Sequence, residues 1–446
     1  MTQPALNRLV FTTSRLAEFC SERELINQTG HDSDDWPLVI LKELVDNALD
    51  ACEEAGIAPA VEIVVSGDRI AVTDNGPGIA PETVADILDY SSRTSSREAY
   101  CSPTRGAQGN ALKTLLAMPF ALDGGHGETT IESQGVAHRI TFSIDPIRQV
   151  PRIDRVCEAS LVKNAMRVAV SWPVSASSIL DDAQENFLRI TKDYSWINPH
   201  LTLTVKWDRD GCYPVQWTTP ATDPTWRKWR PSDPTSPHWY DEARLARLIV
   251  NNIAYAQDHG IPCRTVWDFT REFRGLSGTA KARQITEAVS ASRMSLAEFY
   301  GAGEGARVGA LLSEMRKQSR PVKPRDLGII REAHLRAKFE SAGAAPESFS
   351  YRRSEIEHNG VPYLAEAAFG YCPKGINERQ IITGINWSVA IGGDPFRSLG
   401  DLGQSLGAIL TKQRAGPEEP IITVLHLACP RVEYLDRGKS SVSLPS

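Results

Sequence analysis

Four polar residues in one short stretch have the types and spacing to do chemistry: Glu43, Asp46, Asn47 and Asp50. They fall at i, i+3, i+4 and i+7, which is one continuous stripe if the stretch is helical. Acidic stripes on helices are ordinarily solvated surface. Asn47 argues for more, because an amide contributes little helix propensity among carboxylates and is a good oxygen ligand for Mg²⁺. A second group lies in Ile70-Ala-Val-Thr-Asp-Asn-Gly-Pro-Gly-Ile79. Asp74 ends a strand there, where a buried carboxylate can accept a hydrogen bond from an exocyclic amine. Gly76 and Gly78 release the backbone for the close approach of a flat base, and Pro77 stiffens the turn. Taken alone, Asp-Asn-Gly is also a common hairpin turn. The third group is Thr104-Arg-Gly-Ala-Gln-Gly-Asn-Ala-Leu-Lys-Thr-Leu-Leu116, a Gly-rich loop opening a helix. Backbone N–H groups at such a helix start can hold phosphates.

These groups need elements to position them. Leu38, Leu41, Val45 and Leu49, with Ile40, Leu44 and Ala48 beside them, recur at three- and four-residue intervals and predict one amphipathic helix over 38–56. Gly56 sits where a left-handed residue should stop it. Ahead of it, 9–13 reads as a short strand and Ser14 as the cap of a short helix. Residues 61–66 and 69–73 read as a hairpin around Gly67-Asp68. The serine-rich 91–103 reads as a functional loop. From Thr129 the period becomes two, and 129–134, 137–144 and 165–172 predict antiparallel strands. A helix over 187–200, a turn marked by Pro199 and a strand over 201–207 follow.

Residues 218–239 mix proline, threonine, tryptophan and arginine and read as a linker. Its Trp226-Arg-Lys-Trp-Arg230 cluster suits either a phosphate backbone or a packed hinge. Residues 240–320 are helix-rich, with Phe269 to Arg283 reading as a helix, a glycine turn and a basic helix start. DNA contact, a protein–protein module and plain scaffold all remain open for it. From 321 onward, strands over 361–371, 380–391 and 421–429 and a helix over 397–413 predict an α/β unit.

Composition narrows the class. At 446 residues the chain has room for several cores, and its formal net charge of −6 leaves any nucleic-acid role to a local patch. The eight cysteines form no CxxC pair, which indicates neither a zinc site nor a disulfide framework and suits a cytoplasmic setting. No apolar run approaches the ~18 residues of a membrane span, and no leader-like segment opens the chain.

In this order, Glu-x-x-Asp-Asn, Asp-x-Gly-x-Gly and a Gly-rich lid resemble the ATP site of the GHKL family, shared by gyrase B, the heat-shock chaperone, histidine kinases and MutL. Glu43 to Cys52, Ser91-Ser-Arg93 and Arg105 to Lys113 look most like the branch of the topoisomerase VI B subunits, the type IIB DNA topoisomerases. Arg93 stands where that branch usually has lysine, and Ala111 replaces the last lid glycine. The resemblance implies an α+β fold: a GHKL (Bergerat) ATPase sandwich over 1–217, the linker 218–239, a helix-two-turns-helix-like module over 240–320 and an α/β transducer domain over 321–446. It also implies Mg²⁺-dependent ATP hydrolysis. Glu43 would be the general base, Asn47 the Mg²⁺ ligand and Asp74 the reader of adenine. Asp50, Gly78, Ser92, Arg93 and Thr130 would join the nucleotide contacts, with Gly106, Ala107, Gln108, Gly109, Asn110, Ala111, Leu112 and Lys113 as the phosphate lid. Lys439 would reach the γ-phosphate from the transducer.

The partners implied are DNA, a separate DNA-cleaving topoisomerase VI A-like subunit and a second copy of the chain gathered by ATP, with no membrane. The branch keeps its cleaving tyrosine and acidic metal site on the other subunit, so this chain is expected to cut nothing itself. That branch continues into a long docking helix, whereas this sequence ends shortly after Lys439; it is either cut short or a diverged member with another partner. The alternative function is an ATP-switched clamp or scaffold, MutL-like or a phage-defence component, without topoisomerase activity.

Overall fold

The computed structural model describes residues 16–90, 99–105, 111–301, 306–392, 394–399, 403–435 and 441–443. The first part runs α1 (Leu16–Phe19), α2 (Glu22–Thr29), α3 (Trp36–Glu54), β1 (Ala60–Ser66), β2 (Arg69–Asp74), α4 (Pro81–Ile87) and α5 (Ala111–Asp123). It continues with β3 (His126–Ser133), β4 (Val136–Ile144), β5 (Pro151–Ala159), β6 (Met166–Ser171), α6 (Ser177–Asp182), α7 (Gln184–Ile197), β7 (Thr202–Asp208) and β8 (Val215–Thr219). The strands form one sheet in the order β5-β4-β3-β6-β2-β1-β7-β8. All neighbours are antiparallel except β1 and β7.

Alternation decides which face is covered. Ile63, Val65, Ile70, Val72, Ile131, Ile140, Phe142, Val168, Val170, Leu203 and Val205 are buried in one core with α3, α5 and α7. Between them Glu62, Thr73, Glu132, Arg139, Arg167 and Lys206 point the other way and stay at least partly accessible. This is the one-sided pattern of an antiparallel sheet with a solvated face. Helix α3 is apolar around most of its circumference, so it runs through the core. Pro37 sits in its first turn, and Gly56, at φ 70°, takes the left-handed position that ends it.

The second part is α8 (Glu242–Asp258), α9 (Val266–Arg271), α10 (Thr279–Ala288), α11 (Leu296–Gly301) and α12 (Val308–Lys317). Asp241 and Thr265 cap α8 and α9 by accepting the Arg244 and Asp268 N–H groups. The third part is α13 (Glu332–Ser341), β9 (Ser350–His358), β10 (Val361–Tyr371), β11 (Gln380–Ile385), β12 (Ser388–Val389), α14 (Leu406–Lys412), β13 (Ile421–Ala428), β14 (Glu433–Tyr434) and β15 (Val442–Ser443). Here the sheet order is β12-β11-β13-β10-β9, with β11 parallel to β13. Among the described residues no helix is long and apolar enough to cross a membrane.

Several expectations change. The strand expected over 380–391 is broken into a hairpin, because Asn386 and Trp387 both have positive φ, 50° and 63°. The helix expected over 397–413 is only Leu406–Lys412: Leu399 pairs with Gln404 in a bridge, and Ser405 caps the helix by accepting the Ala408 N–H. Strands β5 and β9 were invisible in the sequence because most of their side chains are exposed and no apolar alternation survives. In the stretch 218–239, Trp226, Trp229 and Trp239 are buried in the core that runs from Phe19 to Ala428. Trp226 Nε1 donates to Ile329 O and the Trp229 N–H to Leu327 O, so this stretch is packed rather than free.

Candidate functional site

Successive residues turn about 100° around an α-helix. Asn47, Glu54 and Glu43 therefore share a face of α3 within about 40°, while Asp50, Asp46 and Glu53 sit beside them, about 20° to 80° round the helix from Glu43. The structure treats the two rows differently. The Glu43 side chain is 22% exposed, and Asn47 is exposed. Asp46 and Glu53 are buried, while the Asp50 side chain is as exposed as that of Glu43, at 22%, and differs from it in being paired. A carboxylate and an amide one turn apart on an accessible face can activate a water and hold a divalent cation.

At the other end of α3 lies the Asp74 turn. Asn75 fixes it: its Oδ1 accepts the Ala60 N–H at 2.8 Å, and its Nδ2 donates to Ala58 O at 3.1 Å. A Cβ at Gly76 would lie 3.4 Å from Cys52 Sγ and 3.6 Å from Ala51 Cβ, so the turn rests directly on α3. Asp74 is 6% exposed, and its Oδ1 accepts the Gly76 N–H at 2.7 Å. Burial raises its carboxyl above the usual carboxylate range, and the Gly76 and Met166 N–H groups only partly offset this. Gly78 has φ 70°, and a Cβ on it would stand 2.2 Å from Ser133 Oγ and 3.0 Å from Ala165 O. Only glycine fits. The same Ser133 hydroxyl accepts the Ile79 N–H at 2.8 Å and clasps the turn to β3.

Thr130 is not part of this group. Glu128, Thr130 and Glu132 alternate with buried Thr129, Ile131 and Ser133 along β3, so Thr130 lies on the solvated face of the sheet, away from Asp74. Register puts Ser133 and Asp74 on either side of Met166, at one level and on one face. Ser133 and Met166 thus stand level with Asp74, a placement that only the strand pairing reveals. Ala111 opens α5, and Leu112 packs against the core. Lys113 Nζ donates to Asp89 O and stands 5.6 Å from the Tyr90 ring centroid; burial lowers its pKa. Ser92, Arg93, Gly106, Ala107, Gln108, Gly109, Asn110 and Lys439 lie outside the described residues, as does the Ala111 side chain.

The buried row is the feature that the sequence reading missed. Asp50, expected to touch nucleotide, has its Oδ1 2.6 Å from Arg105 Nη1. The fully buried Arg105 guanidinium also donates to Glu53 at 2.8 and 2.9 Å, to Asn198 Oδ1 at 2.6 Å and to Trp387 O at 3.2 Å. Lys228 Nζ lies 2.7 Å from Glu53 Oε2, and His200 Nε2 lies 2.9 Å from Glu53 Oε1. Burial lowers the His200 pKa, and the Glu53 carboxylate partly offsets this. Burial opposes the charge on Glu53, yet the Arg105 and Lys228 cations hold its carboxyl well below the usual range. Asp46 completes the row: Lys42 Nζ, Tyr194 OH and Ser388 Oγ donate to it at 2.7, 2.8 and 2.6 Å. Lys42, Arg105 and Lys228 thus balance Asp46, Asp50 and Glu53. Among the described residues no cluster of three or more histidine, cysteine or acidic side chains is arranged to hold a metal ion.

Residues 33–146 match the family described as histidine kinase-, DNA gyrase B-, and HSP90-like ATPase. Two curated proteins, each named as the B subunit of type 2 DNA topoisomerase 6, are similar to this chain. The one from Natronomonas pharaonis is 39% identical over 155 residues, 32% of this chain and 19% of the relative. The one from Archaeoglobus fulgidus is 26% identical over 438 residues, 91% of this chain and 66% of the relative. The chain therefore spans less than two-thirds of the length of either relative. A solved structure titled Crystal Structure of N terminal domain of a DNA repair protein aligns with 91% of this chain and 87% of its own, at 11% identity and a TM-score of 0.40.

Proposed function

We propose, on the premise that residues 33–146 form an ATPase domain of the histidine kinase, gyrase B and HSP90-like kind, that this chain is the ATP-binding and ATP-hydrolysing subunit of a type IIB topoisomerase-like complex. One observation carries the reading. A single helix presents Glu43 and Asn47 on an accessible face near its start and holds the Asp74–Gly78 turn against Ala51 and Cys52 near its end. Eight residues of helix separate Glu43 from Ala51, about 12 Å along the axis. That span suits a nucleotide laid along the helix, base toward Asp74 and phosphates toward Glu43.

In this reading the Asp74 carboxylate accepts the adenine amine, and Gly78 keeps the floor clear of a side chain. Glu43 orients a water for attack on the terminal phosphate and takes its proton. The Asn47 amide oxygen would hold Mg²⁺, which when bound neutralises charge on the phosphate oxygens. One protein ligand suits Mg²⁺, which keeps waters and takes substrate phosphates for the rest. Ser92, Arg93, the stretch Gly106 to Lys113 and Lys439 would gather on the phosphates. The proposal extends to the partition into ATPase domain (1–217), linker, helical module (240–320) and transducer (321–446), to an ATP-dependent homodimer acting as a gate on DNA, and to a separate DNA-cleaving A-like subunit. A cytoplasmic setting fits eight free cysteines.

Glu43→Gln should still bind ATP but turn it over at least ~100-fold more slowly, as for loss of a general base. Steady-state hydrolysis at the wild-type rate in that variant would refute the assignment. If hydrolysis is intact but the chain paired with its A-like subunit fails to decatenate DNA, strand passage falls and the clamp reading replaces it.

A further inference from the structure

The five-stranded sheet meets helix α3 through Ser388 on β12, beside a backbone-strained turn. The β11–β12 turn consists of Asn386 and Trp387, both at positive φ, between the paired Ile385 and Ser388. A two-residue turn of this kind ordinarily takes Asn-Gly, so a tryptophan in the glycine slot is out of place unless its surroundings hold it there. They do. The Asn386 side chain accepts the Cys429 N–H at 2.8 Å and donates to Cys429 O at 3.0 Å. The Trp387 N–H donates to His426 Nε2 at 3.1 Å. The indole is fully buried, with Lys228 Nζ 5.1 Å from its ring centroid and Trp226 and His426 packed beside it.

Held from behind by β13, the tip directs its remaining polar groups at the nucleotide helix and its neighbours. The Trp387 carbonyl accepts from Arg105 Nε and from Asn198 Nδ2. The Ser388 hydroxyl donates to Asp46 Oδ2 at 2.6 Å. Asp46 lies between the two site residues in sequence, three after Glu43 and one before Asn47. The ammonium that shares its Oδ2, Lys42 Nζ, also stands 4.0 Å from Glu43 Oε1. Ser388 and Lys42 thus share one carboxylate oxygen, so the hydroxyl helps to hold the Asp46 group that seats the Lys42 charge beside Glu43.

We propose that the Asn386–Trp387 hairpin tip positions the Glu43–Asn47 turn of α3 through Ser388 and Asp46, which makes Ser388 a positioning residue for ATP hydrolysis supplied by the distant five-stranded sheet. The inference rests on the ATPase reading above. It assigns the sheet a contact on the helix that carries the base, separate from any contact of Lys439 with the phosphates.

The test is steady-state ATP hydrolysis by the full chain with Ser388→Ala, Ser388→Thr and Glu43→Gln run together. Rates are taken per nucleotide-binding site counted by ADP calorimetry, so that unfolded chain cannot imitate a catalytic loss. Loss of a charge-assisted hydrogen bond that positions the Glu43 turn is expected to cost about 10-fold in rate. Ser388→Ala should therefore lose about 10-fold in kcat while KM for ATP stays within about 2-fold. Ser388→Thr, which keeps the hydroxyl, should recover most of it. If Ser388→Ala does not fold, Ser388→Cys keeps the shape with a weaker donor and carries the same expectation. Wild-type kcat per site in the folded alanine or cysteine variant overturns the proposal, and so does a threonine variant as slow as alanine. Glu43→Gln separates the two failures: if it hydrolyses normally the ATPase reading falls, and if it is inactive while Ser388→Ala is unimpaired only the positioning role falls.

Discussion

Two rows of polar side chains run down α3, and they differ in how far their oxygens are committed to cations and hydrogen bonds. Glu43 and Asn47 remain accessible, and among the described residues the cation paired with Glu43, Lys42, stands 4.0 Å away. Asp46, Asp50 and Glu53, less than a quarter-turn round the helix from Glu43, are matched by Lys42, Arg105 and Lys228 and bonded by Tyr194, His200 and Ser388. A carboxylate can do chemistry on water only where its oxygens are uncommitted. A buried carboxylate survives only where they are all committed. One helix satisfies both conditions by rotating its acids a fraction of a turn, so position on the wheel, rather than acidity, separates a site from a strut.

This difference gives the largest expected effect. Replacing Arg105 by methionine takes the close cation from Asp50 and one of two from Glu53, and removing one partner of a buried ion pair typically costs ~3–5 kcal/mol. Glu43→Gln, on the other row, should change stability by no more than ~0.5 kcal/mol while stopping turnover. Urea unfolding of both variants checks the pair. Comparable losses would mean that the rows are not distinct.

The same comparison explains what was legible in the sequence. Glu43, Asn47, Asp74 and Gly78 announce themselves by local spacing, and the elements that carry them, α3 and the β1–β2 hairpin, follow from local periodicity and turn chemistry. The buried row does not, because apart from Lys42 its partners come from 105, 194, 200, 228 and 388, and nothing local to α3 predicts which remote cations arrive. Asp50 illustrates this: its type and spacing fit a nucleotide contact, and the structure adds a remote partner, Arg105, on its Oδ1. Arg105 itself looked like part of a loop motif. The Trp226–Arg230 cluster looked equally like a phosphate contact or a hinge, and alternate burial of Trp226, Lys228 and Trp229 against exposed Arg227 and Arg230 shows the packed arrangement.

A smaller effect should follow pH, and only on the buried side. Burial, with Arg105 nearby, lowers the His426 pKa to about 3, so the folded protein keeps this ring neutral as acceptor for the Trp387 N–H. The unfolded chain binds a proton there below roughly 6.5. The folded pKa is therefore the lower one: the contribution is complete above roughly 6.5 and is lost as pH falls from there toward about 3. The loss approaches about 1.4 kcal/mol per pH unit for one proton. His334, lowered to about 4 by burial, adds to the same slope. His426→Gln keeps an acceptor and cannot titrate, so the difference between its stability and that of wild type should shrink or reverse from pH 6.5 to pH 4. Parallel curves in urea melts across that range would show that His426 is not held neutral.

The smallest effect concerns strand parity on β3, where a shift of one residue exchanges the two faces of a sheet. Thr130 resembles a nucleotide contact by its place in the chain, yet its neighbours on that face are Glu128 and Glu132, and the face is solvated. Ser133 has no motif around it, yet register sets it level with Asp74, and its hydroxyl holds the Ile79 N–H beside Gly78. The side chain that shapes the base end of the site should thus be Ser133. Losing a neutral hydrogen bond that fixes a binding turn costs about 1 kcal/mol, or roughly 5-fold in affinity. Calorimetry with ATP should find Ser133→Ala weaker by about that factor and Thr130→Ala within about 2-fold of wild type, since its hydroxyl faces solvent. The opposite ranking would place the nucleotide on the other face of the sheet, and with it the Asp74 turn would lose its role, because both rest on the same pleat.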